Sequence, residues 1–144
     1  TSAVEPGVKR STFTLPSGLS VSQTHDDLWR VTSLQRPGLA PISYQYDADG
    51  RLSQADQESQ SLSFTYDSAD RRSVIRDAAG LEMRYLYDGA DRITTTKLPS
   101  GSQYTMDYDA NGNMISLSTP LNTTHEMEYD TVNQLVLYRD PLGK

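Results

Sequence analysis

Carboxylates and histidines are the side chains of this sequence best suited to chemistry, and they are spaced suggestively. Asp107, Asp109, Asn111 and Gly112 reproduce the opening of a calcium loop, whose oxygen ligands suit a hard cation. The position that should close such a loop with a bidentate glutamate holds Ser118. His25 and His125 are two isolated imidazoles, which read as satisfied or partly exposed side chains rather than metal ligands. Asn122-Thr123-Thr124 has the pattern of an N-glycosylation acceptor, relevant in a eukaryotic secretory setting. No nucleophile–base pair and no phosphate-binding loop is visible, so neither an enzyme nor a cofactor is expected.

Most of the aspartates have another reason to be where they are. Tyr-Asp recurs at Tyr46-Asp47, Tyr66-Asp67, Tyr87-Asp88, Tyr108-Asp109 and Tyr129-Asp130, preceded by a degenerate His25-Asp26. Successive aspartates are separated by 21, 20, 21, 21 and 21 residues. Such a period over six copies marks a repeat architecture. A type I turn favours Asp at its first position and a residue tolerant of positive φ at its fourth. The fourth positions after Asp26, Asp47, Asp67, Asp88, Asp109 and Asp130 are Trp29, Gly50, Asp70, Asp91, Gly112 and Asn133, with Trp29 the misfit. A second set of turns is expected to start near Leu15, Arg36, Asp56, Asp77, Leu98, Thr119 and Asp140. Their fourth positions are Gly18, Leu39 beside Gly38, Ser59, Gly80, Gly101, Asn122 and Gly143. Gly, Asn or Asp fills 10 of these 13 positions against 27 of 144 residues overall, an enrichment that turn chemistry explains. Of 14 aspartates, 9 open turns and Asp70 and Asp91 occupy fourth positions, which leaves few for acid–base work.

Turn starts 9 to 11 residues apart leave room for strands of about six or seven residues, joined as an antiparallel meander. Side chains one, three and five before each aspartate should share a sheet face, and all but Gln23, His25 and His125 are apolar or aromatic. The 12 residues between them are polar except Leu86, the pattern of a half-buried strand. If each turn is a three-residue hairpin loop, the aspartate faces the residue four later. Arg30, Arg51, Arg71 and Arg92 then close four hairpins, and Asn113 and Gln134 close two. One rung further in, Tyr46 should meet Leu52, Tyr87 Ile93, Tyr108 Met114 and Tyr129 Leu135, while Tyr66 meets Arg72 as a cation–π pair. The expected fold is all-β: tandem hairpins of about 21 residues forming a curved meander strip, roughly 60 Å by 20 Å. A strip with one aromatic face must curl, self-associate or be covered. Residues 1–144 read as a single array, about six repeats over 15–140 with partial repeats at both ends, a piece of something longer.

Composition narrows the partners. A net charge of -6 with scattered Lys and Arg argues against nucleic acid. The sequence offers no membrane-spanning run, and no cysteine for disulfides or thiolate sites.

Tyr-x-Tyr-Asp-x-x-Gly-Arg-Leu, complete at Tyr44 to Leu52, resembles the YD repeat of the Rhs family, and the likeness extends over essentially the whole chain from Leu15. Bacterial Rhs polymorphic toxins, the C component of insecticidal toxin complexes and animal teneurins carry such repeats. The resemblance implies a β-strip coiled into a hollow shell, secreted or delivered to the cell exterior. In the bacterial members the shell encloses a C-terminal toxin domain. The partners it implies are neighbouring repeats and that enclosed domain. A carbohydrate- or receptor-binding adhesion module is the alternative. The family's self-cleaving aspartyl motif begins Asp-Pro-x-Gly; Asp140-Pro141-Leu142-Gly143 matches that start only and lies in register with an ordinary second turn.

Overall fold

The computed structural model describes residues 9–143. Among them are thirteen strands and no helix: β1 (Lys9–Thr14), β2 (Ser20–His25), β3 (Val31–Gln35), β4 (Ile42–Tyr46), β5 (Leu52–Gln57), β6 (Gln60–Tyr66), β7 (Arg72–Asp77), β8 (Glu82–Tyr87), β9 (Ile93–Lys97), β10 (Gln103–Tyr108), β11 (Met114–Ser118), β12 (Thr124–Tyr129) and β13 (Leu135–Arg139). They follow chain order in one open antiparallel sheet.

The turns explain why the chain reverses so regularly. Each contains one residue in the left-handed region, seven of them glycine and the others Trp29, Glu58, Asp70, Asp91, Asn122 and Asn133. In the repeated form, the fourth residue donates its N–H to the carbonyl of the first, as Gly50 does to Asp47 at 3.0 Å. The first residue then donates to the carbonyl of the fifth, as Asp47 does to Arg51 at 2.9 Å. This loop of three residues places one left-handed residue just before the returning strand and bulges the register there. Gly80, Gly101 and Gly143 close the second turns in the left-handed region too. Trp29, the misfit by type, takes φ 62 all the same.

Two turns depart from expectation. At Arg36, Pro37 is followed by Gly38 with φ 72, so the left-handed residue is the third and not Leu39, as in a type II turn. Asp56 does not open a turn; it lies within β5 and faces Ser61. Gln57 pairs directly with Gln60, leaving a two-residue loop in which Glu58, not Ser59, is left-handed at φ 53. One residue fewer in this loop accounts for the 20-residue interval between Asp47 and Asp67.

The described residues fall into two compact units: those up to Thr65 with Arg76–Gly80, and Tyr66–Ile75 with those from Leu81 onward. In the first, Tyr46 faces Leu52 across β4 and β5. In the second, Tyr87 faces Ile93, Tyr108 faces Met114 and Tyr129 faces Leu135.

Alternation follows the sequence pattern. Ile42, Tyr44 and Tyr46 are half-buried while Ser43 and Gln45 are exposed, and His125, Met127 and Tyr129 alternate likewise with exposed glutamates. Leu62, with small Ala55 opposite it, and Tyr104 are more exposed than their positions suggest. Among the described residues no hydrophobic side chain is fully buried, and His25 at 9% exposure is the one buried residue. Without a core, ladder hydrogen bonds and cross-strand pairs carry the stability. Glu58→Gly should therefore raise unfolding free energy by about 0.5–1 kcal/mol by relieving a left-handed L-residue; urea denaturation of the two proteins checks this, and an unchanged or lower midpoint would contradict it.

Candidate functional site

The residues with most chemistry converge at the Tyr-Asp turns, where they engage one another. In the Asp47 hairpin, Oδ1 accepts the backbone N–H groups of Asp49 at 3.0 Å and Arg51 at 2.8 Å, and Oδ2 accepts Arg51 Nε at 2.8 Å. The same three bonds recur with Asp26 and Arg30, Asp67 and Arg71, and Asp88 and Arg92. Each carboxylate thus caps its own turn and clamps the arginine four residues on. In Asp109 the guanidinium is replaced by the Asn113 amide at 2.9 Å; Asp130 keeps the two backbone bonds, to Val132 and Gln134.

In the hairpins of Arg30, Arg71 and Arg92 the clamped guanidinium lies over the tyrosine of the next one, whereas Arg51 Nη2 donates to the Asp49 carboxylate of its own turn at 2.9 Å. Arg30 Cζ stands 4.7 Å over the ring of Tyr46, Arg71 4.6 Å over Tyr87, and Arg92 4.7 Å over Tyr108. Nη1 of Arg71 and of Arg92 also donates to the backbone carbonyl of the next aspartate, Asp88 at 2.8 Å and Asp109 at 3.0 Å. The arm passes the left-handed residue of the next turn at contact distance: a Cβ on Gly50 would lie 3.5 Å from Arg30 Nη1 and one on Gly112 3.7 Å from Arg92 Nη1, while at the third such place Arg71 Nη1 donates to the Asp91 carboxylate at 2.8 Å.

The phenols return the connection. Tyr46 Oη donates to the carbonyl of Val31 at 2.8 Å, Tyr87 Oη to Arg72 at 2.7 Å, and Tyr108 Oη to Ile93 at 2.9 Å. Those carbonyls need a donor, because the strands part near the Tyr-Asp tips. The β3–β4 ladder pairs Ser33 and Leu34 but does not reach Val31, and the β9–β10 ladder starts at Thr95. The hydroxyl fills that gap, which phenylalanine could not do. From the sequence alone Tyr reads as an apolar rung and Arg as the partner of its own Asp; in the structure Arg30, Arg71 and Arg92, and Tyr46, Tyr87 and Tyr108, also reach into the neighbouring repeat. A signal was present: the chain holds 9 Tyr and only 2 Phe, a bias that a purely apolar face would not need.

Electrostatics fit this arrangement. Asp67 is held below the usual carboxylate value by the Arg71 hydrogen bond, against partial burial; Asp88 by the Arg92 N–H; and Asp109 by the Asn113 amide. Burial raises the phenols of Tyr46 and Tyr87, which keeps the donated proton in place.

The other candidates lie elsewhere. The oxygens of Asp109 are occupied within its turn, and no group of three or more metal-ligating side chains gathers among the described residues. His125 Nδ1 lies 2.5 Å from the Tyr138 hydroxyl. Asp140 caps its turn through Leu142. An open groove of about 230 Å³ beside Leu98 and Pro99 is lined by Glu82, Arg84 and Lys97, with Arg84 ion-paired to Glu82. It contains no nucleophile beside a base.

The teneurin YD-shell family profile matches residues 11–143. Among solved structures, the fold matches a chain of the TcdB2-TccC3-Cdc42 crystal structure with TM-score 0.71 and 15% identity, over 92% of this chain and 8% of that one. A chain of the Photorhabdus luminescens Tc holotoxin pore gives 0.73 and 16%, with coverage of 92% and 8%. One of the TcdB2-TccC3-TEV structure gives 0.72 and 16%, covering 92% and 9%. The chain thus spans less than a tenth of these solved chains. No curated protein matches it in sequence.

Among the described residues no guanidinium stands over Tyr129, because Asn113 occupies the arginine position. Asn113→Arg should stack on Tyr129 and stabilise the fold by about 0.5–1 kcal/mol; a denaturation midpoint no higher than wild type would refute this. The carboxylates of Asp26, Asp47, Asp67, Asp88 and Asp109 titrate lower in the folded state than their ordinary 3.8, so their contribution is present above that value and is lost as pH falls through the lowered ones. Stability should hold at neutral pH and fall from about pH 5 downward, and Asp88→Asn should flatten that acid limb in thermal melts across pH. An equally steep limb in the variant would mean that other groups set it.

Proposed function

The chain belongs to the teneurin YD-shell family, and from that premise we propose that it is a wall segment of a YD/Rhs-type shell that encloses a C-terminal toxin or effector domain. One observation carries most of the weight: the side chains best suited to chemistry are spent on tying Tyr-Asp hairpins to their successors, at Arg30 with Tyr46, Arg71 with Tyr87 and Arg92 with Tyr108. Asp aims Arg, Arg holds the next Tyr, and Tyr returns a proton to the strand behind it. A wall built this way works by steric containment, so no residue of the segment is assigned a catalytic step and no cofactor is required. The likeness to a chain of the Photorhabdus luminescens Tc holotoxin pore supports the reading.

In this reading the partners are neighbouring repeats and the enclosed domain, and the site of action is outside the producing cell. A net charge of -6 makes a nucleic-acid partner unfavourable. Among the described residues no helix is long and apolar enough to cross a membrane.

The test uses the full-length gene product with a protease site introduced into the domain that follows the array. The site should resist cleavage in the native protein and become cleavable once urea opens the strip. Cleavage at the same rate in both states, or a reading frame with a membrane span and EGF-like modules in place of a downstream effector, would overturn containment.

A further inference from the structure

The Tyr129 hairpin lacks the arginine that locks its predecessors. Arg71 and Arg92 each lie over the tyrosine of the following hairpin, whereas the residue at that place before Tyr129 is Asn113. We propose that this hairpin is a docking site for an arginine side chain presented by another polypeptide. The site does not depend on the shell reading, because it is built from one hairpin alone.

The Arg71 lock shows what such a hairpin takes. Its guanidinium stands 4.6 Å over the Tyr87 ring, and Nη1 donates to the Asp88 carbonyl and to the Asp91 carboxylate, both at 2.8 Å. Each of these acceptors has a counterpart here: the ring of Tyr129, the carbonyl of Asp130, and Oδ1 of Asn133 at the fourth turn position. The Asp88 carbonyl accepts the Asp91 N–H as well as the guanidinium, and the Asp109 carbonyl does the same with Gly112 and Arg92. The Asp130 carbonyl accepts the Asn133 N–H at 3.1 Å, and its oxygen has a second lone pair for another donor. Asn113 does not serve as that donor, since its amide is spent on Asp109 Oδ2 at 2.9 Å and Asn133 Oδ1 at 2.8 Å.

Two more groups of this hairpin are left unengaged by their own chain. The Tyr129 hydroxyl has no partner among the described residues, unlike those of Tyr87 and Tyr108. Asp130 spends Oδ1 on the N–H groups of Val132 and Gln134, and no arginine takes Oδ2, because position 134 holds Gln. The nearest arginine in sequence, Arg139, is held by Glu128 at 2.9 Å, and Glu128 alternates with Tyr129 to the opposite face. These features choose among cations. A guanidinium can lay its plane on the ring and fork to two oxygens at once, which the single ammonium of lysine cannot. Free arginine would bring its own carboxylate towards Asp130, whereas an arginine within a polypeptide carries none there.

NMR titration of the whole isotope-labelled chain with acetyl-Gly-Arg-Gly-amide tests this. Saturable amide shifts are expected at residues 129–134 at millimolar peptide, with the lysine counterpart binding several-fold more weakly. Asn113→Arg, which gives the ring an arginine of its own chain, should abolish the response, and so should Tyr129→Leu, which removes the ring. Asn113→Arg keeps the test decisive if Tyr129→Leu does not fold. No saturable shift, equal affinity for the lysine peptide, shifts spread evenly over the other Tyr-Asp hairpins, or an undiminished response in either folded variant overturns the proposal.

Discussion

An aspartate carboxylate at the mouth of a turn has two oxygens and three donors to satisfy within four residues. Oδ1 takes two backbone N–H groups, as Asp88 takes those of Ala90 and Arg92, and Oδ2 takes Arg92 Nε at 2.7 Å. With Nε held, the Arg92 guanidinium directs Nη1 at the next repeat, where it donates to the Asp109 carbonyl at 3.0 Å. The Tyr108 ring then lies under a guanidinium whose position was settled sixteen residues earlier. Exposed ion pairs of this kind contribute little by themselves. Their value here lies in direction, because a side chain with many rotamers becomes a rigid bracket.

Much of this was legible in the sequence because it is local. The Asp–Arg pair spans four residues, and a three-residue loop with a left-handed fourth position predicts it outright. Cross-strand partners such as Tyr46 with Leu52 followed from the same loop. Contacts between repeats were not legible in this way. Arg71 with Tyr87 and Tyr87 with Arg72 are pairs whose members each already had a sufficient role nearby. The misread turns have a similar origin. A spacing of 20 announced a missing residue near Asp56, but whether the loop or a strand would give it up depends on which pairing keeps both ladders intact, and Gln57 with Gln60 does so. At Pro37-Gly38 the adjacent glycine outbid the expected Leu39, since positive φ costs it almost nothing.

Among the described residues no hydrophobic side chain is fully buried, which follows from the same local economy of contacts. Each strand touches its chain neighbours, and its apolar side chains are covered to about half by the rungs on either side. Tyr suits such a face better than Phe or Leu because it is apolar along its ring and wet at its tip.

Connectivity in strict chain order also has a mechanical meaning. Every strand is bonded to the strand before it and the strand after it, so tension on the two ends of the chain is borne by one pair at a time and never shared along the sheet. Such a structure resists blows from the side, across many parallel ladders, yet can be drawn out lengthwise as a thread. One repeat of 21 residues, fully extended, measures about 70 Å. A wall of this design is stiff to what presses on it and compliant to what pulls its end.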